Sequence, residues 1–231
     1  MDLRRITHPY YCNRMKIIRE ALRNTRGLVL DIGCADGHFT KLASGFAAFV
    51  IGMDTNATAL KKAEPSSKTG FVMADAQWLP YREAVFDNAV CFDVIEHLQN
   101  DKQFLRDVRR VLKQGGALYL TTLNRNRLTT IARKIIGRPR HYPHRIGEGY
   151  HIREYTKDEF GNLLASQGFK VEELKSIFLG TTFRHGYQSV GFTSFPKFLE
   201  KYCFGLFAKA SKTLGTYDPS PAETPSTLCM F

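Results

Sequence analysis

The chain has 231 residues, enough for one large α/β domain with appended elements. Hydrophobic residues make up 43% of it, an ordinary share for a globular protein, so a full core can be buried. The formal net charge is +11, which suits nucleic acid, a phospholipid surface or an anionic substrate without choosing among them. Five cysteines, an odd number with no C-x-x-C pair, argue against a disulfide framework and a structural zinc site. Met1–Arg5 is followed by Thr, His and Pro, not by the apolar run of a leader. With no window of about 18 apolar residues either, the expectation is a cytoplasmic protein, with a peripheral membrane station as its alternative.

Tyr11, Met15, Ile18 and Leu22 recur at helical spacing and predict an amphipathic helix over residues 10–25, within an N-terminal cap (1–26). Leu28–Ile32 is a short continuous apolar run ending beyond an acid, as a buried parallel strand should be. Gly33, Ala35 and Gly37 then alternate through a tight turn into a helical pattern from Phe39. Strand, small-residue turn and helix together make a cofactor crevice at the carboxyl edge of an open parallel sheet. The glycine spacing is not that of a dinucleotide fingerprint. A second apolar run, Phe49–Asp54, ends in an acid 23 positions after Asp31, where an acid would receive a ribose hydroxyl pair.

Thr55–Ala63 reads as the second crossover helix and Phe71–Ala76 as the third strand, closed by Asp75. Phe86–Phe92 is the fourth strand, with Asp93–His97 on the loop and helix start beyond it. Asp101–Leu112 is an amphipathic helix with the stripe Phe104, Leu105, Val108, Val111 and Leu112, and Ala117–Thr122 is the fifth strand. Residues 123–150 form a basic insertion in which Leu128–Ile136 could be a short cationic helix. A solvated basic face is the plain alternative to contact with anionic lipid or a phosphorylated substrate. Thr156–Glu159 is a capping-box pattern, and Phe169–Leu174 starts the sixth strand. Residues 180–225 read as an aromatic helical insertion, and a last antiparallel strand is placed at Ser226–Phe231.

The segments D-I-G-C-A-D-G, D-A-x-x-L-P and D-V-I-E-H-L, in this order and spacing, resemble the class I S-adenosylmethionine-dependent methyltransferases over roughly residues 25–175. Ala35 departs from the Gly that many members carry. The resemblance implies a Rossmann-like α/β fold: a seven-stranded, mostly parallel sheet with helices on both faces. The methyltransferase core spans residues 27–179, with helical insertions on the substrate side. It also implies S-adenosyl-L-methionine as cofactor. Asp31, Gly33, Cys34 and Gly37 would form the loop, Asp54 and Thr55 would hold the ribose, and Asp75 with Ala76 the adenine. Phe92 and Asp93 would complete the cofactor-binding set.

His97 and His151 are the candidate catalytic bases. The set Asp93, Glu96, His97 and His151 is similar to the metal-holding residues of the ubiquinone-pathway O-methyltransferases and the small-RNA 2′-O-methyltransferases. Two carboxylates and two imidazoles suit a divalent metal. Glu-His-Leu at this place is nevertheless frequent in members that use none, and Asp93 stands where the metal branches have Glu. A plain histidine base, or no dedicated base, is therefore preferred, and a divalent metal is possible but not favoured. The expected acceptor is a small or lipid-like molecule methylated at oxygen. RNA ranks lower because the aromatics lie apart from the basic stretch, and a non-catalytic binding protein on the same fold ranks third.

Overall fold

A computed structural model of the chain describes residues 9–138, 151–183 and 188–213. The apolar runs become strands β1 (Leu28–Ile32), β2 (Phe49–Asp54), β3 (Thr69–Met73), β4 (Phe86–Phe92), β5 (Leu112–Leu123) and β6 (Phe169–Ile177). The amphipathic stretches become helices α1 (Pro9–Arg23), α2 (His38–Ala43), α3 (Ala57–Leu60), α4 (Asp101–Val111), α5 (Leu128–Ile135) and α6 (Lys157–Ser166). Beyond β6 lie a hairpin, β7 (Leu179–Phe183) and β8 (Gln188–Phe192), a 3-10 helix (Lys197–Tyr202) and strand β9 (Gly205–Lys212).

Seven strands form one sheet in the order β3-β2-β1-β4-β5-β9-β6. The first five in that order are parallel, and β9 runs antiparallel between β5 and β6. The chain steps outward from β1 to β3 and returns to β4 on the other side of β1. The order therefore reverses between β1 and β4, where open α/β sheets bind ligands beyond their carboxyl ends. Each face of the sheet carries its own core. Leu30, Ile32, Cys91 and Leu120 pack with Phe104, Leu105 and Val108 of α4 and Phe160 and Leu164 of α6. Val29, Val50, Val90 and Tyr119 pack with Ile18, Ala21 and Leu22 of α1. The expected capping box is present at α6: Glu159 N donates to Thr156 Oγ1 and Thr156 N to Glu159 Oε2.

Two expectations need correction. The crossover helix expected over Thr55–Ala63 shrinks to the single turn of α3, capped by Asn56, with no buried side chain to lengthen it. The described part of 180–225 is not a helical insertion but the hairpin, the 3-10 helix and β9. The antiparallel strand of the sheet is thus Gly205–Lys212; the strand expected at 226–231 lies outside the described residues. Strand β9 is buried on both faces, with Leu206, Ala208 and Ala210 in one core and Phe207 in the other. Its first half, Gly205–Ala208, is a continuous apolar run that does not declare its period, and only Lys209 and Ser211 alternate with the buried Ala208 and Ala210.

Candidate active site

Beyond β1 the chain turns back so tightly that the loop satisfies its own backbone. Gly33 N and Cys34 N both donate to Met53 O, and Gly37 N donates to Cys34 O. Ala35 N donates to Asp54 Oδ2 at 2.8 Å, while Asn56 N donates to Oδ1 of the same carboxylate at 2.8 Å. Gly33 has a φ of 75°, and a Cβ there would lie 2.2 Å from Val94 Cγ2, so only glycine fits between the ends of β1 and β4. Ala35 takes a φ of 48°, left-handed for a residue with a side chain. Asp31 is buried beneath the loop and accepts from Thr40 Oγ1 at 2.6 Å. Burial pushes its carboxyl up to about 7. Cys34 is buried, with its thiol pushed up to about 12 by the same desolvation.

Asp31 and Cys34 therefore shape this loop from beneath, while Ala35 and Asp36 are exposed at its top. Asp54 uses one lone pair of Oδ2 on the loop and one of Oδ1 on Asn56, and each oxygen has a further lone pair with which it can accept. Asp75 lies just past β3, exposed, and caps the turn there, with Oδ1 accepting from Gln77 N at 2.8 Å. Ala76 is buried beside it, and Thr55 is exposed at the end of β2. Phe92 is buried edge-on against Phe39, 5.2 Å between ring centres.

At the end of β4 the geometry changes from backbone to side chains. Asp93 has a φ of 58° and accepts from Thr121 Oγ1 at 2.7 Å. It also pairs with Arg14 of α1 at 2.6 Å. Glu96 is fully buried on a 3-10 turn (Ile95–His97) and accepts from Thr122 Oγ1 at 2.9 Å through one oxygen. Its other oxygen, Oε1, has no hydrogen-bond partner among the described residues. Burial first, and then the charge of Asp93, push this carboxyl up to about 8 against the opposing pull of Thr122 and Arg14.

His151 arrives from 54 positions away, at the head of a segment whose next residues are tied down. Ile152 N donates to Glu96 O at 2.9 Å, and Arg125 N to Tyr155 O at 2.8 Å. Arg153 and Tyr155 OH both reach Asp101, at 2.7 and 2.9 Å. Beneath them Arg127 and Glu154 form a buried two-pronged pair, 2.6 Å on each prong. Glu154 Oε1 also lies 3.5 Å from His151 Nδ1. As a result His97 and His151 stand 4.9 Å apart, ring to ring, and the donor atoms of Glu96, His97 and His151 all lie within 4.8 Å of one another.

The structure thus brings together three of the four residues in the expected metal-type set. Asp93 is left out, because Arg14 and Thr121 already hold it. Sequence reasoning missed Arg14, Thr121, Thr122, Arg127 and Glu154. A bare Arg or Thr carries no signal until its partner is known: Arg127 lies among the bases of the 123–150 insertion, and Glu154 just beyond it. Size does not mark the site. A cavity of about 370 Å³ lies between α1 and the face of β5, β9 and β6, away from the carboxyl edge.

Residues 30–120 match the family description of a methyltransferase domain. With the switch-point loop and the acid beyond β2, this match makes the described core a methyltransferase domain, similar to those of the S-adenosylmethionine-dependent methyltransferases. A probable S-adenosylmethionine-dependent methyltransferase of Mycobacterium tuberculosis is 31% identical over 178 residues, 76% of this chain and 61% of the relative. The chain therefore spans about three fifths of that relative's length. A mitochondrial ubiquinone biosynthesis O-methyltransferase of Rattus norvegicus is 32% identical over 45% of this chain and 32% of its own length. A solved putative methyltransferase from Bacillus halodurans superposes with a TM-score of 0.66 at 22% identity, over 88% of this chain and 100% of that one. The family's cofactor fits the residues present. Small side chains crown the first loop, and acceptor oxygens stand beyond β2, β3 and β4 for hydroxyl and amino hydrogens.

Proposed function

We propose that the protein methylates an oxygen of a small or lipid-like acceptor, with S-adenosylmethionine as methyl donor. The observation that carries this reading is the convergence of Glu96, His97 and His151 beside the cofactor loop. The ubiquinone biosynthesis O-methyltransferase among the relatives supports oxygen as the methylated atom and a lipid-like acceptor.

When bound, the cofactor supplies a methyl group on a positively charged sulfur, an electrophile that needs no further activation. What remains for the chain is alignment and proton removal. Asp54 binds the ribose hydroxyls, and Asp75 with Ala76 meets the adenine. Asp93, fixed by Arg14 and Thr121, borders the methyl. His97 and His151 face the acceptor, and one of them takes its hydroxyl proton. Glu154 beside Nδ1 steadies the imidazolium that results when His151 is the acceptor of that proton. Burial favours the neutral form of Glu96, which can then donate a hydrogen bond to the acceptor.

A second reading has one observation in its favour: Oε1 of Glu96 has no partner among the described residues. A carboxylate and two imidazoles are a competent donor set for a divalent cation. Glu96, His97 and His151 would hold it, and it would polarise the acceptor oxygen.

The test incubates the protein and a cell extract with S-adenosylmethionine labelled on its methyl, with and without a chelator. Lipid, RNA, protein and small-molecule fractions are then separated. Label is expected in the lipid or small-molecule fraction, reduced by His97→Ala and His151→Ala about 100-fold or more. Chelator sensitivity would promote the second reading. Label confined to RNA or protein would overturn the acceptor class, and absent cofactor binding would overturn methyl transfer itself.

A further inference from the structure

Five of the large apolar side chains that face solvent gather on one cap at the carboxyl edge, over the acceptor half of the site. Leu128 (43% exposed), Ile135 (80%) and Ile136 (67%) lie on and just after α5. Phe192 (68%) ends β8, and Phe198 (72%) lies on the 3-10 helix. These pieces form one surface: α5 packs on β7, β7 pairs along β8, and β7 also packs on the 3-10 helix. Leu128 and Ile135 are seven positions apart and so share one face of α5, half-covered at Leu128 and open to solvent at Ile135.

Charge is arranged around these tips with the same bias. Residues 124–138, 179–183 and 188–204 hold seven bases and a single acid, Glu200. Glu200 is taken up by Lys157, and the flanking bases Arg125 and Arg127 by Glu159 and Glu154. Arg133, Lys134, Arg138 and Lys197 are exposed, with no acidic partner among the described residues.

We propose that this cap docks on an anionic bilayer. Leu128, Ile135, Ile136 and the two phenylalanines enter the acyl boundary while the four bases meet headgroup phosphates. Two features favour a lipid surface over other partners. Aliphatic tips gain by entering hydrocarbon and cannot stack on a base, so they suit RNA poorly. A partner protein would need acids to answer the rim, whereas an anionic leaflet answers every base at once and in any register. Helix α5 leaves the site directly: β5 carries Thr122, the partner of Glu96, and Asn124–Arg127 connects it to α5. Docking would set the acceptor side against the membrane. That last link to a lipid-like acceptor rests on the proposed function; the surface itself does not.

The test uses the full chain and sedimentation with two kinds of vesicle, pure phosphatidylcholine and phosphatidylcholine with about a third phosphatidylglycerol. Binding is expected only to the anionic vesicles and should weaken with salt. The pairs I135S/I136S and R133E/K134E should each lower partitioning by about tenfold, with S-adenosylmethionine affinity by calorimetry unchanged. Equal binding to neutral vesicles, variants that bind like the parent, or capture of RNA without vesicle binding would each overturn the proposal. Loss of cofactor binding in the parent chain would instead overturn the proposed function, and vesicle binding that persisted would leave the cap's role standing.

Discussion

The two halves of the carboxyl edge are built over very different reaches of chain. On the cofactor side Asp31, the 33–37 loop and Asp54 belong to one βαβ unit, and the loop's hydrogen bonds close on β2 or on itself. On the acceptor side the partners run from Arg14 to Glu154, joined mainly by side chains. A locally closed loop tolerates change elsewhere in the molecule. A site assembled from α1, β4, β5 and the segment before α6 depends on all of them holding their register.

The largest expected effect tests that dependence. Glu154→Ala leaves Arg127 charged, buried and without its two-pronged partner, which should cost about 3–5 kcal/mol in urea unfolding. If the variant stays folded, cofactor affinity should survive while methylation falls. A loss under about 1 kcal/mol would erase the contrast between the halves.

Next comes a pH effect confined to the cofactor side. Asp31 is held up to about 7 from 3.8, so the folded state binds its proton more tightly than the unfolded state does. Stability from this group is therefore highest below the unfolded value. It falls as pH rises through the window between the two values and stays low above it. Asp31→Asn cannot ionise. Relative to the parent it should gain on the order of 2–4 kcal/mol between about pH 4 and pH 8, read from urea midpoints across that range. A constant difference would show that the carboxyl is not desolvated.

Asp54→Ala should lower S-adenosylmethionine affinity about 100-fold in calorimetry with the fold intact. Asp54→Asn, which keeps one accepting oxygen, should fall between. Unchanged affinity would remove Asp54 from the site. The smallest effect concerns Ala35, whose left-handed backbone suits glycine better. Ala35→Gly should stabilise by about 1 kcal/mol or less, since strain relief is partly offset by a more flexible unfolded chain.

The legibility of the chain follows the same division. Strands β1, β2 and β4 stand where their apolar runs place them, because a run buried on both faces and bounded by turn residues has few other solutions. The capping box at Thr156 and the stripe of α4 were equally readable, being local devices. Strand β9 was hidden, since its pairing with β5 and β6 is long-range and its composition resembles the aromatic stretch before it. Asp93 was grouped with Glu96 and His97 by resemblance to the metal-using branches of the family. Its neighbour Arg14, almost 80 positions away, takes it out of the group.

By itself, the sequence determined the sheet's parallel half, the small-residue turn after β1 and the acids at successive strand ends. Each of these is a short-range match between residue type and backbone. Tertiary structure decided that His151 meets His97 over Glu96, that Arg127 and Glu154 lie buried beneath them, and that α5 packs on the hairpin with exposed apolar side chains on both and exposed bases on α5. The reason is physical: burial of charge and convergence of side chains are properties of space, and a chain declares them only once distant segments have been packed together.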